Sequence, residues 1–131
     1  MSPTLGSGDL LLISRKSYTE LEPRRGDIVL ARHDDELIVK RVVGLPGEEV
    51  EVKGAALYIN GTLIPEGYTL TNSIQFDIAK GKLFSGRFAT LGDNRGIPPI
   101  QASHPIISKA QIVGKVILSI NILRLHFKFV G

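Results

Sequence analysis

Apolar and polar residues alternate with period two along most of this chain, in short runs rich in β-branched side chains and bounded by Gly, Pro, Asn and Asp. That pattern specifies half-buried strands rather than helices. It predicts strands at Leu10–Ser14, Ile28–Arg32, Leu37–Val43, Glu49–Lys53, Leu57–Ile59, Thr62–Ile64 and Arg87–Leu91, then a long final pair from Val113 onward. Helix is scarce, amounting to one turn at Ser108–Gln111. The expected fold is mainly β, an antiparallel coiled sheet or partly closed barrel.

Three stretches add detail. Asn60-Gly61 stands between two short apolar runs and predicts a tight hairpin, because both residues of a type I′ turn need positive φ. The same Asn60-Gly61-Thr62 is formally a glycosylation acceptor, but the hairpin accounts for it without sugar. In the last segment the apolar parity changes, from Val116, Leu118, Ile120 and Ile122 to Leu123, Leu125, Phe127 and Phe129. One residue of slip exchanges the faces of a strand, so a bulge, bend or sheet crossover is expected near Ile122-Leu123. Residues 66–86 carry a weaker pattern and several turn formers, which reads as an exposed insertion.

With 131 residues, 43% of them hydrophobic, the chain suffices for one domain over residues 1–131 and is short for two. Sixteen basic against thirteen acidic residues give a net charge of +3, but the basic residues are scattered, which disfavours nucleic acid as a partner. The absence of cysteine excludes disulfides, thiol nucleophiles and thiolate-bound zinc. His33, His104 and His126 show no ligand spacing, so no metal is expected, and no cofactor motif stands out. No apolar stretch reaches the roughly 18 residues of a membrane span, and the N-terminus does not read as a signal peptide, so the chain by itself is expected to be soluble.

Among the lysines, Lys40 is distinctive. In Glu36-Leu37-Ile38-Val39-Lys40-Arg41-Val42-Val43, strand alternation places it on one face with Ile38 and Val42. Desolvation between such side chains lowers a lysine pKa, and a lysine brought to roughly 7–8 can serve as a general base. On pattern alone the plainer reading, an exposed or carboxylate-paired lysine, has the stronger claim. Arg41 falls on the opposite face with Leu37, Val39 and Val43 and is expected to be structural. Nothing places any histidine in a Ser-His-Asp triad, whereas a Ser-Lys dyad needs only a serine and one desolvated lysine. Gly92-Asp93-Asn94-Arg95 reads by itself as a stabilised turn, and Arg25-Gly26-Asp27 as a turn before a strand rather than an adhesion motif. Gly6–Asp9 is followed by a strand, not a helix, and so is no phosphate loop.

Taken jointly, five segments in order and spacing resemble the conserved boxes of the type I signal peptidases: MSPTLGSGDLLLI, RGDIVLA, IVKRVVGLPGEEVEV, LYING and LGDNR. The resemblance covers nearly the whole chain. It implies a signal-peptidase-type β fold and a serine endopeptidase that cleaves signal peptides or pro-peptides with a Ser-Lys dyad. Such enzymes are anchored in the cytoplasmic membrane with this domain on the outer face. Lys40 becomes the general base, reversing the reading from pattern alone. Gly92, Asp93, Asn94 and Arg95 match the box that braces the active site. Met1, Leu5, Leu11, Leu30, Ile38 and Val39 match the walls of a pocket for small side chains at the first and third positions before the cut, and all six are apolar.

Two departures accompany the match. In the family pattern the nucleophilic serine stands immediately before the residue matched by Met1, so it falls outside these residues, as do the serine of the oxyanion hole and the anchor. The chain by itself is therefore expected to be inactive, and Ser2, about 7 Å along a strand from the required position, is not expected to substitute. After Arg95 the family's Ser-x-Asp-Ser-Arg run is replaced by GIPPIQASHP. Pro98, Ile100 and Ala102 then stand where the lysine-orienting serine, an aspartate and an arginine belong. The alternative is a catalytically dead relative acting as a peptide-binding or assembly factor. The self-cleaving repressors share the Ser-Lys fold but are disfavoured by KRVVGLPG and LGDNR. The implied partner is a peptide or preprotein with small residues before the cut, with a membrane surface as a further one; oligomeric state is left open.

Overall fold

The computed structural model describes residues 1, 4–5, 8–66, 77–93, 106–121 and 126–129, with backbone alone for 121 and 126–129. Its elements are β1 (Asp9–Ser14), a short helix α1 (Ser17–Glu20), β2 (Ile28–His33), β3 (Glu36–Gly44), β4 (Glu49–Lys53), β5 (Ala56–Ile59), β6 (Thr62–Leu63), β7 (Ile78–Lys82), β8 (Arg87–Leu91), β9 (Ile106–Ser108), a 3-10 turn at Lys109–Gln111, β10 (Ile112–Asn121) and β11 (His126–Phe129). Among the described residues they form two sheets. One runs β1-β10-β2-β3-β8-β9 with β11 also on β10, and the other runs β6-β5-β4-β7. Every pairing is antiparallel, so the mainly antiparallel β expectation holds, and the sheets do not close into a barrel.

Local chemistry explains the joints. Asn60 and Gly61 take φ of 51° and 80°, the conformation a two-residue hairpin requires, and the Asn60 side chain accepts the Glu49 N–H at 2.9 Å. The turn at Lys109–Gln111 is closed by a capping box, with the Ser108 N–H donating to Gln111 Oε1 at 2.8 Å. The end of β3 carries the crossing between sheets. Its register against β8 shifts between Val42 and Gly44, so Val43 enters the core between the sheets while Val42 packs elsewhere. A Cβ on Gly44 would lie 2.6 Å from Val50 Cγ2, which is why this crossing is a glycine. Arg25 clamps the following turn, donating twice to Glu48 (2.8 and 2.6 Å) and once to the Val43 carbonyl at 2.9 Å. Those hydrogen bonds from Arg25 hold the Glu48 carboxyl below its usual range, aided by the Leu45 N–H and opposed by burial.

The apolar residues divide into three clusters. Val43, Val52, Leu57, Ile59, Leu83, Ala89 and Leu91 fill the space between the sheets. Val29, Ala31, Val42, Phe88 and Ile107 form a second, with Tyr18 and Ile38 packed against it. Leu5, Ile28 and Val116 form a third, with Met1, Leu11, Ile13 and Val39 at its margin. Arg25-Gly26-Asp27 is a turn, as expected. Gly26 takes φ 94°, and Asp27 accepts the Tyr18 hydroxyl at 2.8 Å and the Arg24 N–H at 3.0 Å. Burial, then the bond to Asp27, pushes the Tyr18 phenol above its ordinary pKa.

Two expectations meet different outcomes. The expected final pair of strands from Val113 onward is present. β10 ends at Asn121, and β11 runs back along it with Leu118 opposite Phe129 and Ile120 opposite Phe127. Residues 122–125, where the change of parity falls, lie outside the described residues. Of the segment 66–86, residues 67–76 also lie outside them. The remainder includes β7, paired with β4, whose side chains are mostly exposed, and Leu83, which is buried between the sheets. Weak alternation concealed β7 because it is an edge strand in which Lys80, Gly81 and Lys82 are all exposed.

Gly114 shows how closely β1 and β10 approach. A Cβ there would lie 2.6 Å from both the Ser14 carbonyl oxygen and Ile13 Cγ2. Since a backbone oxygen cannot yield like a side-chain end, Gly114→Ala is expected to cost about 1–3 kcal/mol of stability. The urea midpoint measures this, and an unmoved midpoint would contradict the close packing.

Candidate active site

Lys40 lies in the middle of β3, opposite Val29 of β2 in the register. Directly opposed residues project to the same face, so the lysine rises beside the apolar cluster of Val29, Ala31 and Val42. Its other neighbour is β8, where Arg41 stands opposite Leu91 and Val42 opposite Thr90. One step further along, Gly92 comes beside Lys40, and a Cβ on it would sit 3.7 Å from Nζ. A side chain at this point would touch the ammonium at ordinary contact distance. The side chain is half-buried, and desolvation lowers its pKa below the ordinary lysine value.

Arg41 projects to the opposite face, where it is buried. It donates from Nε to Asp93 Oδ1 at 2.8 Å and from Nη2 to Asp93 Oδ2 at 2.7 Å, while Nη1 donates to the Gly26 carbonyl at 2.7 Å. Asp93 is 0% exposed, and it also accepts the Thr4 hydroxyl. One carboxylate thus ties three parts of the chain together: β3, the turn after β8, and the N-terminal segment. The bidentate geometry fixes orientation as well as charge.

That tie places Met1. The Leu5 N–H donates to the Met1 carbonyl at 3.1 Å, closing a turn whose Leu5 side chain is buried against Ile28 and Val116. The Met1 main-chain nitrogen then lies where it feels both site residues. Burial first, and the Lys40 charge second, lower the pKa of this amine, while the Asp93 charge raises it. This nitrogen is the atom through which a preceding residue would be joined.

Of the six expected pocket residues, Met1, Leu5, Leu11 and Val39 meet in one cluster. Leu30 stands opposite Val39 in the register and shares its face, half-buried. Ile38 stands opposite Ala31 and packs with Val29 and Val42 on the Lys40 face, apart from the other five. Gly92 and Asp93 are both at the site. Asn94, Arg95, Pro98, Ile100, Ala102 and Ser2 lie outside the described residues, as does His104. His33 is distant from the site in the fold, its Nδ1 2.9 Å from Gln111 Nε2 at the 3-10 turn. Among the described residues no group of three or more His, Cys, Asp or Glu could hold a metal, and no helix is long and apolar enough to cross a membrane.

The partnership of Arg41 with Asp93, and the part of Thr4, did not emerge from the sequence, although a clue to the first was present. Alternation put a guanidinium on an apolar face with Val39 and Val43, and a buried cation requires an anion. Asp93, in a turn that follows the apolar Ala89-Thr90-Leu91, was the natural candidate. Thr4 gave no such signal.

The profile of the signal peptidases, peptidase S26, matches residues 1–120. The chain is 37% identical over 106 residues to signal peptidase I of Bacillus amyloliquefaciens, which covers 72% of this chain and 55% of that protein. It is 35% identical over 103 residues to probable signal peptidase I-2 of Synechocystis, covering 72% and 47%. Signal peptidase I of Bacillus caldolyticus is 35% identical over 130 residues, covering 88% and 71%. A crystal structure of a signal peptidase I from Enterococcus faecalis superposes with a TM-score of 0.58 at 27% identity, covering 73% of this chain and 97% of that one. The chain spans about half the length of the first two relatives. With its antiparallel two-sheet fold and five boxes in order, the chain belongs to the signal peptidase family, peptidase S26.

Proposed function

We propose that this chain is the β domain of a serine endopeptidase that removes signal peptides or pro-peptides after small residues, with Lys40 as the base and a serine joined to Met1 as the nucleophile. The observation that carries this reading is the half-buried Lys40 with Gly92 beside its Nζ, in a chain that the signal peptidase profile matches over residues 1–120. In the reaction the serine Oγ attacks the scissile carbonyl carbon as neutral Lys40 Nζ takes its proton. The lysine then returns the proton to the leaving amine, releasing the downstream product and an acyl-enzyme. Water, deprotonated by the same amine, hydrolyses the ester. Met1, Leu5, Leu11, Leu30 and Val39 form the wall for the residue before the cut, while Ile38 lines the Lys40 face. Asp93 holds Arg41 and Thr4 and so keeps the N-terminal segment against β3, with Gly92, Asn94 and Arg95 completing that box. The exposed Leu10 and Leu12 on one face of β1 support a membrane surface as a second partner.

A serine added before Met1 is expected to give cleavage of a peptide with alanine at the first and third positions before the cut, and the chain without it no turnover. If the extended chain folds and binds the peptide but leaves it intact from neutral to alkaline pH, the protease reading is wrong. That result would favour the second reading, a peptide-binding or assembly relative, which the replacement of the family's Ser-x-Asp-Ser-Arg run by residues such as Pro98, Ile100 and Ala102 supports. Cleavage that disappears on Ser2→Ala would instead make Ser2 the nucleophile.

A further inference from the structure

The core between the two sheets is incompletely filled. A cavity of about 120 Å³ lies there, with the buried Val43, Val52 and Leu91 on its inner side and Val50 and Ile78 toward the edge strand β7. Gly81 of β7 stands opposite Val50 in the register and so shares its face, and a Cβ there would meet nothing within 4 Å. The wall is thin at this point for want of a side chain. Gly81, Lys82 and Ile106 line the cavity and are themselves exposed, Ile106 at 53%, so they mark its mouth.

The interior and the mouth make different demands. Inside, the walls are almost wholly carbon, so a polar group would lose its water without gaining a hydrogen bond. Hydrocarbon is what fits. An apolar cavity of roughly 150 Å³ stays dry and takes up benzene, so this one has space for about five or six carbons. At the mouth, Lys82 carries the only charge among the lining residues. Glu49 stands opposite it in the register, but the Glu49 carboxylate pairs with Lys80 at 3.7 Å, and Lys82 has no ion-pair partner among the described residues. An ammonium so placed attracts an anion, by the modest amount usual for exposed charges.

We propose that the cavity between the sheets is a binding site for small apolar carboxylates, with a hydrocarbon tail of about five or six carbons inside and the carboxylate at the mouth beside Lys82. The site is separate from the candidate active site. Lys40 projects beside Val29 on the other face of β3 from Val43, which walls the cavity. The proposal therefore stands independently of the protease reading.

The test titrates this chain with hexanoate, hexylamine and acetate, following heat by calorimetry and methyl resonances by NMR. Hexanoate is expected to bind saturably and to shift the methyls of Val43, Leu91 and Ile106, leaving those of Leu10 and Leu12, at the other end of the sheet, in place. Acetate has the head without the tail and is expected to bind at least about tenfold more weakly, since a single methylene in an apolar pocket is worth that much. Hexylamine has the tail with the opposite charge. It is expected to bind about two- to fivefold more weakly than hexanoate at low salt, a gap that closes at high salt and in Lys82→Met. Gly81 has no positive φ, so Gly81→Val suits the strand, and by narrowing the mouth it is expected to weaken hexanoate at least about tenfold. Absence of saturable hexanoate binding overturns the site, as do shifts confined to Leu10 and Leu12, which would mark adsorption to an exposed apolar face. Equal binding of hexanoate and hexylamine at low salt overturns the role of Lys82 and with it the carboxylate. Hexanoate affinity unchanged in a folded Gly81→Val overturns the location, and should that variant fail to fold, the methyl shifts in the parent chain decide the location by themselves.

Discussion

In the chain carrying a serine before Met1, Lys40→Ala is expected to lower kcat/KM by about 10²- to 10⁴-fold, the usual contribution of a positioned general base. KM should change little, because Lys40 rises beside Val29 and Gly92 and not among Met1, Leu5 and Val39. Lys40→Arg is the more telling substitution. It keeps the positive charge but holds its proton at any working pH, so it is expected to be as inactive as alanine if the role is proton transfer. Activity within a factor of about ten of the parent in either variant would remove Lys40 from the mechanism.

The pH profile follows from the same burial. Only neutral Lys40 can accept the serine proton, and desolvation lowers its pKa from the ordinary lysine value. Rate therefore rises with pH as the amine deprotonates, and the rising limb of kcat/KM lies below the ordinary lysine range. Opening the lysine to water moves that limb upward. A rate that falls with rising pH across this range would assign the essential group as an acid.

Asp93→Ala is expected to be the most destabilising single change at the site. It removes the carboxylate that pairs twice with the buried Arg41 guanidinium and accepts the Thr4 hydroxyl. Breaking a buried ion pair at one partner costs about 3–5 kcal/mol, a large part of the roughly 5–15 kcal/mol that holds a domain together. For a chain of this size that corresponds to a fall in Tm of roughly 10–20 °C. The double change Arg41→Leu with Asp93→Leu is expected to recover part of that stability, because it removes both charges. It should not recover cleavage in the serine-extended chain, since the Asp93 carboxylate that ties Thr4 and the N-terminal segment to β3 is gone. A single Asp93→Ala with an unaltered Tm would show that the carboxylate does not carry this load. A double variant that regained full activity would show that it does not position Met1.

Much of the architecture was legible because strands declare themselves locally. Period-two alternation located β1, β2, β3, β4, β5 and β8, and Asn60-Gly61 gave its hairpin through the positive φ both residues adopt. Where the local signal was weak, reading failed. β7 is a lysine-bearing edge, β9 is three residues long, and α1 contains a kink at Tyr18. The final pair from Val113 onward was legible for the same reason as the other strands, and it is present as β10 and β11.

The site divided along the same boundary. By itself the sequence determined that Lys40 and Arg41 face opposite ways, since alternation is a property of the strand, and it supplied the five boxes by which the family is recognised. Only the tertiary structure decided that Arg41 and Thr4 share Asp93, partners 52 and 89 residues away, and that Gly92 comes beside Lys40. It also parted Ile38 from Met1, Leu5, Leu11 and Val39. Contacts of that range depend on which strands lie next to one another and in which register. No local preference encodes that neighbourhood, which packing and buried charge settle together.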